Sequence, residues 1–224
     1  INNVEVGSAN ASNHVAEWPS VTGVIGANKI TVKGTYKGVE QTDEVTWNCK
    51  EATNPTDMEA TEIQINFGNS NAKNSAHAQT PAVDGYLFDC GEAYADRGNG
   101  YRYGWETDIC AEGRHRTSYT TDNRLASFIQ MKTHVWKMKV PNGKYRVGIS
   151  VGDNDYTDSH HVVEANGVTV VDFSPANGKK FGADWGECEV TDGFLTLTPA
   201  QSSNNTKINF LHIHCVELEP VAAE

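Results

Sequence analysis

Within the stretch Asp96 to Trp105 the chain gathers Asp96, Arg97, Tyr101, Tyr103 and Trp105. Flat aromatic faces suit the apolar side of a pyranose ring, and Asp and Arg satisfy hydroxyls at its edge, so these residues are candidates for holding a sugar. Arg116 and Tyr156 add the same residue types further along. The competing reading is structural: Tyr103 and Trp105, two apart in a strand, would face the core together, and Arg97 would be an ion-pair partner.

Asp153, Asp155 and Asp158, with Asn154 and the Thr157 hydroxyl, offer hard oxygen donors of the kind a structural Ca2+ gathers, six to eight at a time. The segment lacks the length and terminal Glu of an EF-hand loop, and Asp and Asn also form turns by bonding their own backbone. His212 and His214 project together from one strand, and His160 and His161 are adjacent, which is the minimum geometry of a transition-metal site. Because Ile208, Phe210 and Val216 share that strand's alternation, hydrogen-bonded, partly buried histidines are the simpler expectation. Asp89/Glu92 and Asp108/Glu112 are paired acids, yet glycoside hydrolysis needs a defined carboxylate separation in a cleft. No serine nucleophile elbow, HExxH zinc motif or Gly-rich phosphate loop is expected, so the chain reads as a protein without catalysis.

The elements that would carry these residues are strands. Ile30, Val32 and Tyr36, then Val45, Trp47 and Cys49, alternate as two strands of an N-terminal extension, residues 1–60, which is expected to pack on a main domain at 61–219 followed by a tail at 220–224. The main domain opens with Ile63, Ile65 and Phe67. Pro141-Asn142-Gly143 separates Val135–Val140 from a run through Tyr145, Val147, Ile149 and Val151, which predicts a hairpin. Asn166-Gly167 and Asp192-Gly193 predict two more. The last strand, Lys207 to Leu218, is apolar on both faces, as a central strand is. Many short strands without helical crossovers give an all-β antiparallel sandwich, a jelly roll.

The segments Ile65-Asn66-Phe67-Gly68, Asp89-Cys90-Gly91-Glu92-Ala93-Tyr94 and Arg97-Gly98-Asn99-Gly100-Tyr101-Arg102-Tyr103-Gly104-Trp105 resemble the opening of malectin-like, galactose-binding-like domains of secreted polysaccharide-handling proteins. The resemblance continues in order through Trp136, Val140-Pro141-Asn142-Gly143-Lys144-Tyr145, Gly152 to Ser159 and Asp192-Gly193-Phe194-Leu195. It implies a galactose-binding-like sandwich that contacts a glycan through rim loops, here residues 89–119 and 153–159. Domains of this kind also serve as spacers beside enzymes and as protein-interaction modules. The cysteines at 90, 110 and 188 depart from bacterial members and suggest a disulfide-hardened relative.

Composition narrows the partners. A formal net charge of -11 over 224 residues, without a Lys/Arg run, repels nucleic acid and anionic lipid. No segment reaches the roughly 20 apolar residues of a membrane helix, and a first residue of Ile1 suggests a processed product. Cys90, Cys110, Cys188 and Cys215 lack CxxC spacing and read as structural disulfides, leaving Cys49 free or linking two chains as a homodimer; the competing reading is five buried, reduced cysteines in a cytosolic protein. Asn10-Ala11-Ser12 and Asn204-Asn205-Thr206 are glycosylation sequons. Together these predict a secreted, lectin-like, glycan-binding protein. The alternatives are an extracellular matrix module joined through Cys49 and a carrier of a small apolar ligand or pigment.

Overall fold

Apolar and polar residues alternate along most of the chain, and in the computed structural model these runs form strands. The structure describes residues 1–11, 16, 18, 21, 23–24, 26–49, 62–176 and 178–218, with Cys49 described by its backbone alone. The chain divides into two units, Ile1–Thr53 and Asn54–Glu224.

In the first unit β1 (Gly26–Tyr36) and β2 (Val39–Cys49) pair antiparallel along their whole length. Lys37 and Gly38 turn the chain at φ 50° and 78°. The register places Ile30, Val32, Tyr36, Val39, Val45 and Trp47 on one face and Lys29, Thr31, Lys33, Thr42, Glu44 and Thr46 on the other.

The second unit contains β3 (Ile63–Phe67), β4 (Leu87–Asp89), β5 (Ala95–Asp96), β6 (Arg102–Trp105), β7 (Gly113–His115), the single-turn helix α1 (Asn123–Ala126), β8 (Ser127–Gln130) and β9 (Trp136–Lys139). It continues through β10 (Gly143–Gly152), β11 (His161–Ala165), β12 (Val168–Phe173), β13 (Phe181–Val190), β14 (Phe194–Pro199) and β15 (Lys207–Leu218). One sheet runs β13-β10-β15-β3-β4, with β8 joining β15 to β7; the other runs β12-β11-β14-β9-β6-β5. Among the described residues β3 and β4 form the one parallel strand pair. The two sheets bury Phe67, Trp105, Trp136, Met138, Tyr145, Val147, Ile149, Leu195, Leu197, Leu211 and Ile213 between them, giving an all-β, jelly-roll sandwich. Among the described residues no helix is long and apolar enough to cross a membrane.

Of the three predicted hairpins, one forms. Asn166 and Gly167, at φ 45° and 81°, join β11 to β12 as a primed turn. At Pro141-Asn142-Gly143 and Asp192-Gly193 the chain instead crosses between sheets, β9 to β10 and β13 to β14. Turn chemistry fixes the reversal but leaves open whether the flanking strands meet edge to edge or face to face. Asn142 locks the two crossovers together, donating to the Thr191 carbonyl (3.0 Å) and accepting from the Gly193 N–H (2.8 Å).

A register shift against β10 between Ser150 and Val151 also reorders the last strand. It turns Ile208 into the core, fully buried, while Phe210, His212 and His214 lie on the solvent side of their sheet.

The disulfide expectation is corrected. Cys90 and Cys110 are neighbouring buried thiols, Sγ to Sγ 3.9 Å, and are not bonded. Cys188 on β13 and Cys215 on β15 both pair with Tyr145 of the intervening β10. Two strand spacings, about 9.5 Å, exceed the roughly 7 Å Cα separation a disulfide tolerates, so these two cannot bridge. The Cys49 side chain lies outside the described residues. Asn10 and Asn204 are exposed; Ser12 of the first sequon lies outside the described residues, and Thr206 of the second is fully buried.

Candidate functional site

The β5–β6 ribbon does not present its aromatics. Tyr103 and Trp105 are 2% and 0% exposed. Asp89, fully buried, accepts the indole N–H groups of Trp105 (3.0 Å) and Trp136 (2.9 Å) and the Gly91 N–H (2.8 Å). Phe67 meets both indoles edge-on at 6.0 Å. Burial pushes the Asp89 carboxyl up, and the three donors pull it back toward ionisation.

Arg97 donates to the Tyr103, Glu92 and Ala93 carbonyls and to the Glu92 carboxylate, so its guanidinium fastens the ribbon. Tyr101 packs partly buried against the core, and Asp96 is exposed, closing the turn at Gly98 and pairing with Arg102 at 3.4 Å. Tyr103, Trp105 and Arg97 are therefore corrected from ligand contacts to framework. The alternation rule points both aromatics inward, and Asp89 absorbs the indole polarity that would otherwise need water.

Arg116 and Tyr156 do come together, with the acids of the next loop. The Arg116 Nε and Nη2 donate to the two oxygens of Asp153 at 2.9 and 2.8 Å, and Nε lies 3.3 Å from Asp155. Lys207, 2% exposed, stands 3.3 Å from the wholly buried Asp153. The Arg116 guanidinium lies 5.2 Å from the Tyr156 and Phe128 ring centres. Burial opposes ionisation of Asp153, but Arg116, the Asp155 N–H and the charge of Lys207 together hold its carboxyl below the usual range.

This commits Asp153 to cationic side chains and takes it out of the expected calcium set. Both oxygens of Asp153 already serve two cations and a backbone N–H. Asp155 faces Arg116, Asp158 is exposed, and among the described residues no three His, Cys, Asp or Glu side chains are grouped for a metal. His160 bonds Asp172, and His212 bonds Glu62 and Tyr86, as expected for hydrogen-bonded histidines. Because Asp153 is held by Arg116 and Lys207, adding Ca2+ or a chelator should leave the unfolding midpoint within about 1 °C by differential scanning fluorimetry, and a rise with Ca2+ would restore the calcium reading.

Beside Arg116 the surface sinks into a depression of about 260 Å³ lined by Ala76, His77, Ala78, His115, Thr117, Ser118 and Asp155. The Ser118 hydroxyl donates to Asp155 at 3.3 Å. His115 is pushed down by burial, and its Nδ1 is buried with no hydrogen-bond partner. His77 is pushed down by burial and then by the charges of Arg114 and Arg116. Both imidazoles are thus neutral at pH 7 and able to donate and accept. Tyr156, 55% exposed, stands next to this set. Sequence reasoning missed His77, His115 and Ser118, because only the fold joins the 76–78 loop to the end of β7.

Neither Asp89/Glu92 nor Asp108/Glu112 lines the depression. Asp108 is held by Lys73 and Glu112 by Lys132, while Asp89 is interior. The letters Gly148-Ile149-Ser150-Val151-Gly152 do spell GxSxG, contrary to expectation, but they lie inside β10 with Ser150 1% exposed rather than at a strand-to-helix elbow.

No protein-family model and no curated protein matches the chain. Solved structures do. A calcium-binding mutant of Bacteroides uniformis β-glucuronidase 2 superposes with a TM-score of 0.54 at 15% identity over 94% of this chain and 25% of that one. A second Bacteroides uniformis β-glucuronidase gives 0.52 at 12% identity with the same coverage. The likeness is one of fold. This chain spans about a quarter of the length of those enzymes. A family 35 carbohydrate-binding module from Clostridium thermocellum aligns over 45% of this chain and 84% of its own at 14% identity, with a TM-score of 0.31 that carries no argument.

Proposed function

We propose that the chain is a secreted, non-catalytic glycan-binding module that takes its ligand at the rim, as its resemblance to malectin-like domains implies. The observation that carries this reading is the preorganised set at the depression. Arg116 is fixed from below by the buried Asp153, and around it stand Asp155, Ser118, Thr117, two neutral imidazoles and the exposed ring of Tyr156. Short donors and acceptors at fixed positions beside one aromatic face match a hydroxyl-rich, neutral ring. The net charge of -11 favours a neutral glycan over an anionic one.

On a glycan array the wild-type protein should bind a restricted group of neutral glycans. Tyr156→Ala should raise the Kd at least about tenfold, or 1.4 kcal/mol, in a protein still folded by circular dichroism, with a small fall in melting temperature because the ring also lies over Arg116 and Lys207. Binding that survives this change would move the ligand away from the rim. The matrix-module alternative draws support from the apolar face of the β1–β2 ribbon, where Val32, Tyr36, Val39, Val45 and Trp47 are exposed. A dimer in sedimentation velocity that dissociates with thiol reductant would favour it.

A further inference from the structure

A second aromatic surface lies on the solvent face of the β13-β10-β15-β3 sheet. Tyr145, Val147 and Ile149 of β10 turn inward, so Arg146 and Gly148 turn outward, with Trp185 on β13 and His212 on β15 opposite Gly148 on either side. Gly148 has no unusual φ; its role is space. A Cβ there would lie 2.8 Å from three atoms of the Trp185 ring. The indole therefore lies against the bare backbone of the neighbouring strand, and it remains 45% exposed.

Its neighbours are held in place. His212 meets the indole edge-on at 5.7 Å and is fixed by Glu62 at Nδ1 (2.7 Å) and the Tyr86 hydroxyl at Nε2 (2.6 Å). Arg124 donates to the same hydroxyl at 3.0 Å and is neutralised by Asp122. The Arg146 guanidinium lies over the indole, 4.8 Å from its centre, and Glu187 stands opposite Arg146 in the strand register.

From this arrangement we infer that the Trp185 face is a second ligand site, separate from the rim, that stacks a neutral pyranose of a glycan chain. A protein partner would need roughly 800 Å² of matched surface on each side, whereas this face offers one flat ring with polar groups around it. Those groups, Arg146, the His212–Tyr86 pair and the Glu187 carboxylate on the same face, are donors and acceptors of both signs, which fits hydroxyls and disfavours an anionic chain. Gly148 supplies the rigidity, since a ring that can lie only one way loses little freedom on binding.

The test is a titration of the whole chain, followed by NMR, with hexasaccharides of β-1,4-glucan, β-1,3-glucan, β-1,4-mannan and β-1,4-xylan, and with oligogalacturonate as the anionic probe. The Trp185 indole N–H resonance is assigned by its loss in Trp185→Phe. At least one neutral probe should shift it saturably at a Kd that Tyr156→Ala leaves unchanged, and the backbone amide of Gly148, opposite Trp185, should report a Kd raised tenfold or more in Trp185→Ala. Gly148→Ala, which keeps Trp185 but unseats it, should weaken binding in the same direction. The inference is overturned if no probe moves the resonance, if its shift is lost in Tyr156→Ala, if the Gly148 amide reports an unchanged Kd in Trp185→Ala, if oligogalacturonate binds more tightly than every neutral probe, or if the resonance shifts with protein concentration alone.

Discussion

Asp89→Ala should lower the unfolding free energy by on the order of 5 kcal/mol, because three buried donors lose their acceptor at about 1–3 kcal/mol each. The donors are the Trp105 and Trp136 indoles, one from each of two adjacent strands, and the Gly91 N–H. Phe67, packed edge-on against both indoles, ties that centre to the opposite sheet. A loss of this size is a large part of the roughly 5–15 kcal/mol a domain has. Urea unfolding followed by tryptophan fluorescence would read it as a large fall in midpoint. Asp89→Asn should lie between the two, since its amide keeps one acceptor oxygen and sets an N–H donor against an indole. A midpoint unchanged in Asp89→Ala would remove the carboxylate from the framework.

The second large effect sits under the rim. Asp153→Asn strands the buried Lys207 and leaves Arg116 without its bidentate partner, and breaking a buried pair in this way costs about 3–5 kcal/mol. Lys207→Met in the same background should recover much of the loss, because removing the second charge ends the uncompensated burial. The pair also sets an acid limit. The folded pKa of Asp153 lies below its unfolded value, so its contribution is present above about pH 4 and is lost as pH falls through the folded pKa. His161 works in the same direction. Burial, and then the charge of Lys207, push it down to about 4, so between about 6.5 and 4 the unfolded chain binds a proton the folded one does not, and stability falls with pH. Melting temperatures from pH 8 to 3 should therefore decline toward acid, more shallowly in the Asp153→Asn/Lys207→Met variant. A parallel decline in both would contradict the assignment.

Where the physics is local, the sequence was readable. The alternation of Tyr145, Val147, Ile149 and Val151 and the turn at Asn166-Gly167 stand in the structure as expected. What failed needed the third dimension. Asp153 looked like a calcium ligand because Asp-rich loops are oxygen-rich, and nothing in a linear reading says that Lys207, more than fifty residues later, lies beneath it. Pro141-Asn142-Gly143 looked like a hairpin because a turn signal is the same whether the next strand pairs beside the first or packs over it. Tyr103 and Trp105 looked like a sugar platform, although their spacing already put them on one face.

Trp185 was overlooked for the opposite reason. A tryptophan within Ala183-Asp184-Trp185-Gly186-Glu187 sits on the polar side of its strand, and that break in the pattern, set against a glycine on the neighbouring strand, is the signal that would have found it. Arg116 was found by residue type, while its neighbours His77 and His115 were not, since an isolated histidine, in a loop or at the end of a three-residue strand, carries no pattern.

The most direct test of the glycan-binding reading is backbone amide NMR of the wild-type protein titrated with the neutral glycan that binds best on the array. The account predicts saturable shifts concentrated at residues 76–78, 115–118 and 155–156, reached at the same Kd and absent in Tyr156→Ala. Unmoved rim amides at saturating glycan would contradict it.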